Sequence, residues 1–333
     1  MLQWLRRKRE PATTGAGDTD VAALSEAFPP QEICWRADAS LPLPDWHQQP
    51  WPEEGDADTL HRHANGSAAA WLDATAAALT DRYARAESAN FMLLSALEPR
   101  ATRVLLDYLE RSRKRVLAAL AGIAADQGHG KTVVMVFGEE DLYYQYIANY
   151  SSDSSQPEAH SSGMFIDAGY GHFVFTQSGF EIMEPIVVHE MTHCLVRHLQ
   201  IPAWLNEGLA VNTEHRFVPV RPRYRPNELE YLFANFWDAS TIQEFWSGKS
   251  FLRPDDGQAL SYELAGLLAQ LLGKDYEVLT RFCEAASFQD GGEGAAKTIL
   301  GMGLEDFAAI VLGPGAWKPS PALWTDGTEK GQF

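Results

Sequence analysis

The feature that most restricts this chain is His189-Glu190-Met191-Thr192-His193, followed fourteen positions after the second histidine by Glu207. Four residues turn a helix through about 400°, so His189 and His193 project about 40° apart, one turn from each other. That placement lets two imidazoles share one ion at about 2.0–2.1 Å. Glu190 is rotated by about 100° from His189, so it misses the ion yet reaches a water beside it. Ile186, Val187, Val188, Leu195 and Val196 give the same helix an apolar anchor. Pro202-Ala-Trp-Leu-Asn-Glu207-Gly begins a second helix after a short turn, and an antiparallel return brings the Glu207 carboxylate to the same point. Two His and one Glu hold three corners of a tetrahedron and leave the fourth for water, the pattern of a catalytic zinc rather than a structural one.

The composition excludes several other classes. The 333 residues hold 27 Lys plus Arg against 45 Asp plus Glu, a net charge of −18, which argues against nucleic acid as a partner. No run of about 18 apolar residues predicts a membrane span. The 3 cysteines, Cys34, Cys194 and Cys283, are too few and too scattered for a disulfide framework, and a reducing cytoplasm is the expected location. The run Arg6-Arg7-Lys8-Arg9 is followed by no apolar stretch, so it reads as a solvated leader rather than a secretory signal; contact with anionic lipid is the alternative. No phosphate-binding glycine loop or nucleophile elbow is present.

Periodicity divides the chain into an extended Pro- and Trp-rich arm (1–65), a main body (66–313) and a loose tail (314–333). The body comprises a part with sheet and metal motif (88–215) and a helical part (226–313). The expected fold class is α+β, with a small mixed sheet packed on a mainly helical C-terminal half. Within it, AWLDATAAALTDRYARA reads as helix, and Asn90–Ser95 and Val133–Phe137 as buried strands. A helix opened by Pro99 carries Val104, Leu105, Tyr108, Leu109, Val116, Leu120 and Ile123 inward and ends at the Gly-rich stretch after Gln127. Residues 151–163 read as a polar loop, and Met164–Ala168 and His172–Thr176 as a hairpin pair. Ser178 suggests a capping box, while Pro185 either opens or kinks the motif helix.

HEMTH followed by PAWLNEGLA resembles the gluzincin peptidases of the peptidase MA-like group, over roughly residues 88–290, and the run NFMLLSALEP…LLDYLERSR resembles poorly characterised bacterial members. The resemblance implies a zincin-like catalytic domain with one zinc ion held by His189, His193 and Glu207. It implies that Glu190 is the general base, and that the substrate is a peptide or protein. It also implies an edge strand that pairs with substrate, for which HFVFT (172–176) is the candidate, and a downstream oxyanion donor, for which Tyr262 is the candidate against a plain core tyrosine. One departure stands out. The position four after Glu207, often acidic in that group and supporting a ligand histidine, is Val211; Glu214 or Asn212 is left to substitute, and Asn206 either orients a ligand or caps its helix. Cys194 reads as core and His198 as surface. His61 and His63 read as a surface pair, and the arginines 216, 221, 223 and 225 as a solvated connector. His160 and His172 have no role that spacing demands. The competing function is a silent scaffold that keeps the fold without turnover, against which the retained Glu190 argues.

Overall fold

A computed structural model describes residues 32–52, 55–80, 82–150, 163–219 and 221–324. Helices account for most of it, around one five-stranded mixed sheet of order β1-β2-β3-β5-β4. The strands are β1 (Ala84–Glu87), β2 (Phe91–Ser95), β3 (Thr132–Phe137), β4 (Gly163–Ile166) and β5 (His172–Thr176). β2, β3 and β5 run parallel in the middle, and β1 and β4 pair antiparallel at the two edges. The fold class is α+β, as expected.

Alternation along the central strands sends apolar side chains to both faces, so the sheet is buried on both sides. Phe91, Leu93, Val134, Val136, Phe173 and Phe175 meet α2 (Pro99–Ala119) and α4 (Phe180–Val196) on one face. Met92, Leu94, Val133, Met135 and Val174 meet α1 (Ala57–Ala78) and α3 (Glu140–Ile147) on the other. Each fully buried side chain of this size contributes about 1.5–3 kcal/mol. The arm is not free: Leu43 and Trp46 are buried on that second face, where Trp46 packs against Trp71 and Tyr170.

Several boundaries move. The first helix begins at Ala57, not near Gly66, because Asp56 caps it by accepting from the Thr59 amide. That helix stops at Ala78, and ARAE, expected to continue it, becomes edge strand β1. Val104 is 42% exposed rather than inward, and α2 ends at Ala119, before Gly122 with its φ of 85°. The expected tail is held as far as Trp324, since Trp317 and Trp324 are buried and the Trp246 indole donates to the Trp317 carbonyl. Residues 325–333, like most of the polar loop with His160 (151–162), lie outside the described residues.

The C-terminal half is helical. It contains α5 (Ala203–Phe217), α6 (Pro226–Phe236), α7 (Thr241–Ser247), α8 (Gly257–Leu272), α9 (Tyr276–Ala285), a short α10 (Glu293–Ala295) and α11 (Leu304–Leu312). The seven-residue α7 carries no sequence signal strong enough to have been expected. No helix among the described residues is long and apolar enough to cross a membrane.

Candidate metal centre

α4 continues through Pro185 rather than opening there, and its N-cap Gly179 makes no side-chain cap, so the Ser178 capping box does not form. Its later turns are buried; they present His189 and His193 toward α5 and set Glu190 beside the start of β4. Six residues (197–202) turn the chain into α5. The start of α5 is pinned by Trp204, fully buried among Phe245, Trp246 and Phe282, whose indole donates to the Gly291 carbonyl at 2.9 Å. One turn later Gly208 lets α5 press onto α8: a Cβ there would lie 2.5 Å from the Ala265 carbonyl oxygen. α5 is thus fixed from behind, and Glu207 faces α4.

The three expected ligands meet. Glu207 Oε2 lies 3.1 Å from His189 Nε2 and 3.5 Å from His193 Nε2. The three donor atoms fall within 4.8 Å of one another, the one such group of His, Cys, Asp and Glu among the described residues. Donors about 2.0–2.1 Å from a tetrahedral ion stand about 3.3–3.4 Å apart. The two Glu207 separations bracket that spacing, so the residues present fit a zinc-sized ion.

Both imidazoles are oriented from behind. Asn206 Oδ1 accepts from His193 Nδ1 at 2.9 Å, and Glu214 Oε2 accepts from His189 Nδ1 at 3.2 Å. With each Nδ1–H so engaged, each Nε2 turns its lone pair to the shared point. Asn206 therefore orients His193, and Glu214 holds His189 from a position where Val211 has no polar group to offer. Asn212 does not share it: its amide donates to the Gly208 and Gly266 carbonyls, tying α5 to α8.

The electrostatics follow from burial and close packing. Burial by itself lowers the His189 pKa, but hydrogen bonds to Glu207 and Glu214 and the nearby carboxylates outweigh it and raise it well above the usual value. His193 is raised in the same way, its burial outweighed by Glu207. Burial pushes Glu207 up, yet His193 and His189 hold it far below the ordinary carboxylate range. Glu190 is only 7% exposed, and burial raises its pKa against the pull of His189 and His193. Two neighbouring carboxylates with opposite shifts suit opposite roles, a permanently charged ligand and a proton carrier.

Tyr262, in the first turns of α8, lies beside the triad, its ring centroid 6.2 Å from that of His189. Burial, then Glu207, Glu190 and Glu214, raise its phenol well above the ordinary value, so it stays a donor. The edge beside the metal group is β4. HFVFT (β5) is interior, with β3 and β4 on either side. A Cβ on Gly163 would lie 2.4 Å from Ile186 Cγ2 and 3.6 Å from Glu190 Oε1, so β4 begins directly over the turn that carries Glu190.

Other candidates lie elsewhere. His172 is fully buried on the far face of the sheet, among Trp71, Tyr146 and Tyr150. Cys194 is buried, its thiol pushed up to about 11 by burial, and His198 is exposed. His61 and His63 sit on helix α1, where two-apart side chains diverge; His61 accepts from the Gly130 amide. Arg221, Arg223 and Arg225 are exposed, as expected of a connector, whereas Arg216 is exposed on the last turn of α5 rather than in the connector. Compared with protein-family models and with curated proteins, the chain finds no match among either.

Proposed function

We propose that the chain is a zinc-dependent peptidase of the gluzincin kind with a zincin-like catalytic domain. The observation that carries this reading is the buried Glu190 set beside a His189–His193–Glu207 group whose Glu207 oxygen stands at about the donor spacing of a tetrahedral ion from both histidines. A structural site needs no fourth corner and no adjacent carboxyl group.

His189, His193 and Glu207 would hold a zinc ion, which when bound would supply an acidified water and polarise the scissile carbonyl. Glu190 takes the proton from the attacking water and delivers it to the leaving nitrogen, and its raised pKa moves it toward the range in which one group does both. Tyr262 donates to the carbonyl oxygen as negative charge builds there. Asn206 and Glu214 keep the imidazoles aligned. β4 offers an edge with main-chain groups to an extended peptide, which places the bond to be cut over Glu190 by strand addition.

The test is metal analysis of the purified chain followed by cleavage of a peptide library with and without chelator, repeated with Glu190→Gln. Retained zinc with lost cleavage is the expected result. A zinc-loaded native chain that cleaves no member of the library would sink the reading in favour of a silent scaffold.

A further inference from the structure

We infer that the exposed face of α2 is a docking surface for an acidic polypeptide segment of a partner protein, independently of the metal centre. At about 100° per residue, Arg100, Arg103, Asp107, Arg111, Lys114 and Arg115 fall within a sector of about 120°. All six are exposed. At about 1.5 Å per residue the row runs about 22 Å. It holds five cations and a single carboxylate in a chain where acids outnumber bases 45 to 27.

Carboxylates are therefore plentiful, and some cations elsewhere pair with them. Arg85, Lys131, Arg197 and Arg253 are each paired. The neighbouring Arg113, which points off the row, pairs with Asp126. Among the described residues none of the five cations of the row has an ion-pair partner within 4.0 Å.

Parts of the arrangement work against the helix that carries it. Arg100 and Arg103 lie at the N-terminal end, where the helix dipole already presents positive charge. Arg100–Arg103, Arg111–Lys114 and Arg111–Arg115 put like charges three or four residues apart, where they repel. Aromatic rings only steady the cations: the Arg115 guanidinium lies 4.2 Å from the Phe217 ring and that of Arg111 lies 6.0 Å from the Tyr108 ring. Arg216, 5.7 Å from the same Phe217 ring, carries positive charge onward to the end of α5. A surface that breaks local rules with no gain inside the fold is explained by something outside it. An external row of carboxylates supplies the missing charge.

A polypeptide fits better than a polyphosphate or a bilayer. The net charge of −18 leaves the remaining surface acidic. Screening at physiological salt acts beyond about 8 Å, so a ligand confined to the row is attracted. A long nucleic acid or a plane of anionic headgroups would overhang onto acidic ground. Val104 is the one large apolar side chain on this face, too little to insert among lipids.

The experiment titrates a fluorescent oligoglutamate, long enough to span the row, with the full chain and follows its anisotropy. Saturable binding that weakens with added salt is expected. It should fall by about tenfold or more in Arg103→Glu/Arg111→Glu/Lys114→Glu. The corresponding triple Gln variant should fall in between and guards against misfolding of the reversed one. Absence of binding, equal binding by the charge-reversed chain, or tighter binding of single-stranded DNA or phosphatidylserine vesicles than of oligoglutamate overturns the inference.

Discussion

Glu214 stands 3.2 Å from the Nδ1 of His189, seven residues after Glu207 and on the same face of α5. Because α4 and α5 pack side by side in opposite directions, the earlier histidine, His189, meets the later part of α5, and His193 meets its first turns at Asn206. The supporting carboxylate can therefore come from one turn beyond Val211. Replacing Glu214 by Gln keeps the shape but removes the charge that, in the proposed metal site, would make His189 a stronger ligand. Zinc affinity, read by competition with a chelating dye, should fall about 10–100-fold. Asn206→Ala should weaken it through His193 in the same range. Unchanged affinity in both variants would show that the imidazoles hold their orientation without help.

Tyr262→Phe separates a donor from a packing group. The ring also contacts Phe251, with centroids 5.3 Å apart, and phenylalanine preserves that contact. Stability should change little. If the phenol stabilises the oxyanion, kcat should drop about 100-fold or more while KM moves little. An unaltered kcat assigns Tyr262 to packing alone.

The parts that could be read from the residues were those set by local rules. Four-residue spacing placed His189, Glu190 and His193, and the Pro202 start of α5 placed Glu207. Strands β2, β3 and β5 were legible as short runs of apolar residues, and α2 as a periodic one. What was hidden depends on distant partners. Ala84–Glu87 continues the alanine-rich pattern of α1 and turns into strand only because β2 offers it an edge. Whether β4 or β5 forms the border depends on β3 pairing with β5 across more than thirty intervening residues. Val104 matches the inward period of α2, yet it falls beyond the strip that the sheet and α4 cover. The choice of Glu214 over Asn212 needs the relative rotation of two helices, which no single helix contains.

Gly208 tests the brace behind the candidate metal site. Alanine gains about 1 kcal/mol of helix propensity over glycine. Its Cβ, however, would stand 2.5 Å from the Ala265 carbonyl oxygen and 2.7 Å from Ala269 Cβ. Backbone on the other side cannot turn away as a flexible side chain would, so overpacking of about 1–3 kcal/mol or more should win. Gly208→Ala should lower the urea midpoint and, because Glu207 moves with it, also weaken zinc binding. A raised midpoint would mean that α5 and α8 separate easily.

His172 makes stability depend on pH away from the candidate metal site. Its Nδ1 donates to the Tyr170 carbonyl at 2.7 Å and its Nε2 accepts from the Tyr146 hydroxyl at 2.7 Å, so the neutral ring is satisfied on both sides. Burial lowers its pKa from 6.5 to about 4. Above about pH 6.5 neither state is protonated and the group adds no pH dependence. As the pH falls below that, the unfolded chain binds a proton that the folded chain refuses, and stability is lost at about 1.4 kcal/mol per unit. The loss levels off once the folded ring itself protonates near pH 4, a total of about 3 kcal/mol. His172→Phe leaves the Tyr146 hydroxyl its contact with Tyr150 at 3.2 Å, so the fold should survive the change. Urea midpoints measured between pH 7 and 4.5 should fall more steeply for the native chain than for this variant. Parallel curves would place the acid sensitivity elsewhere.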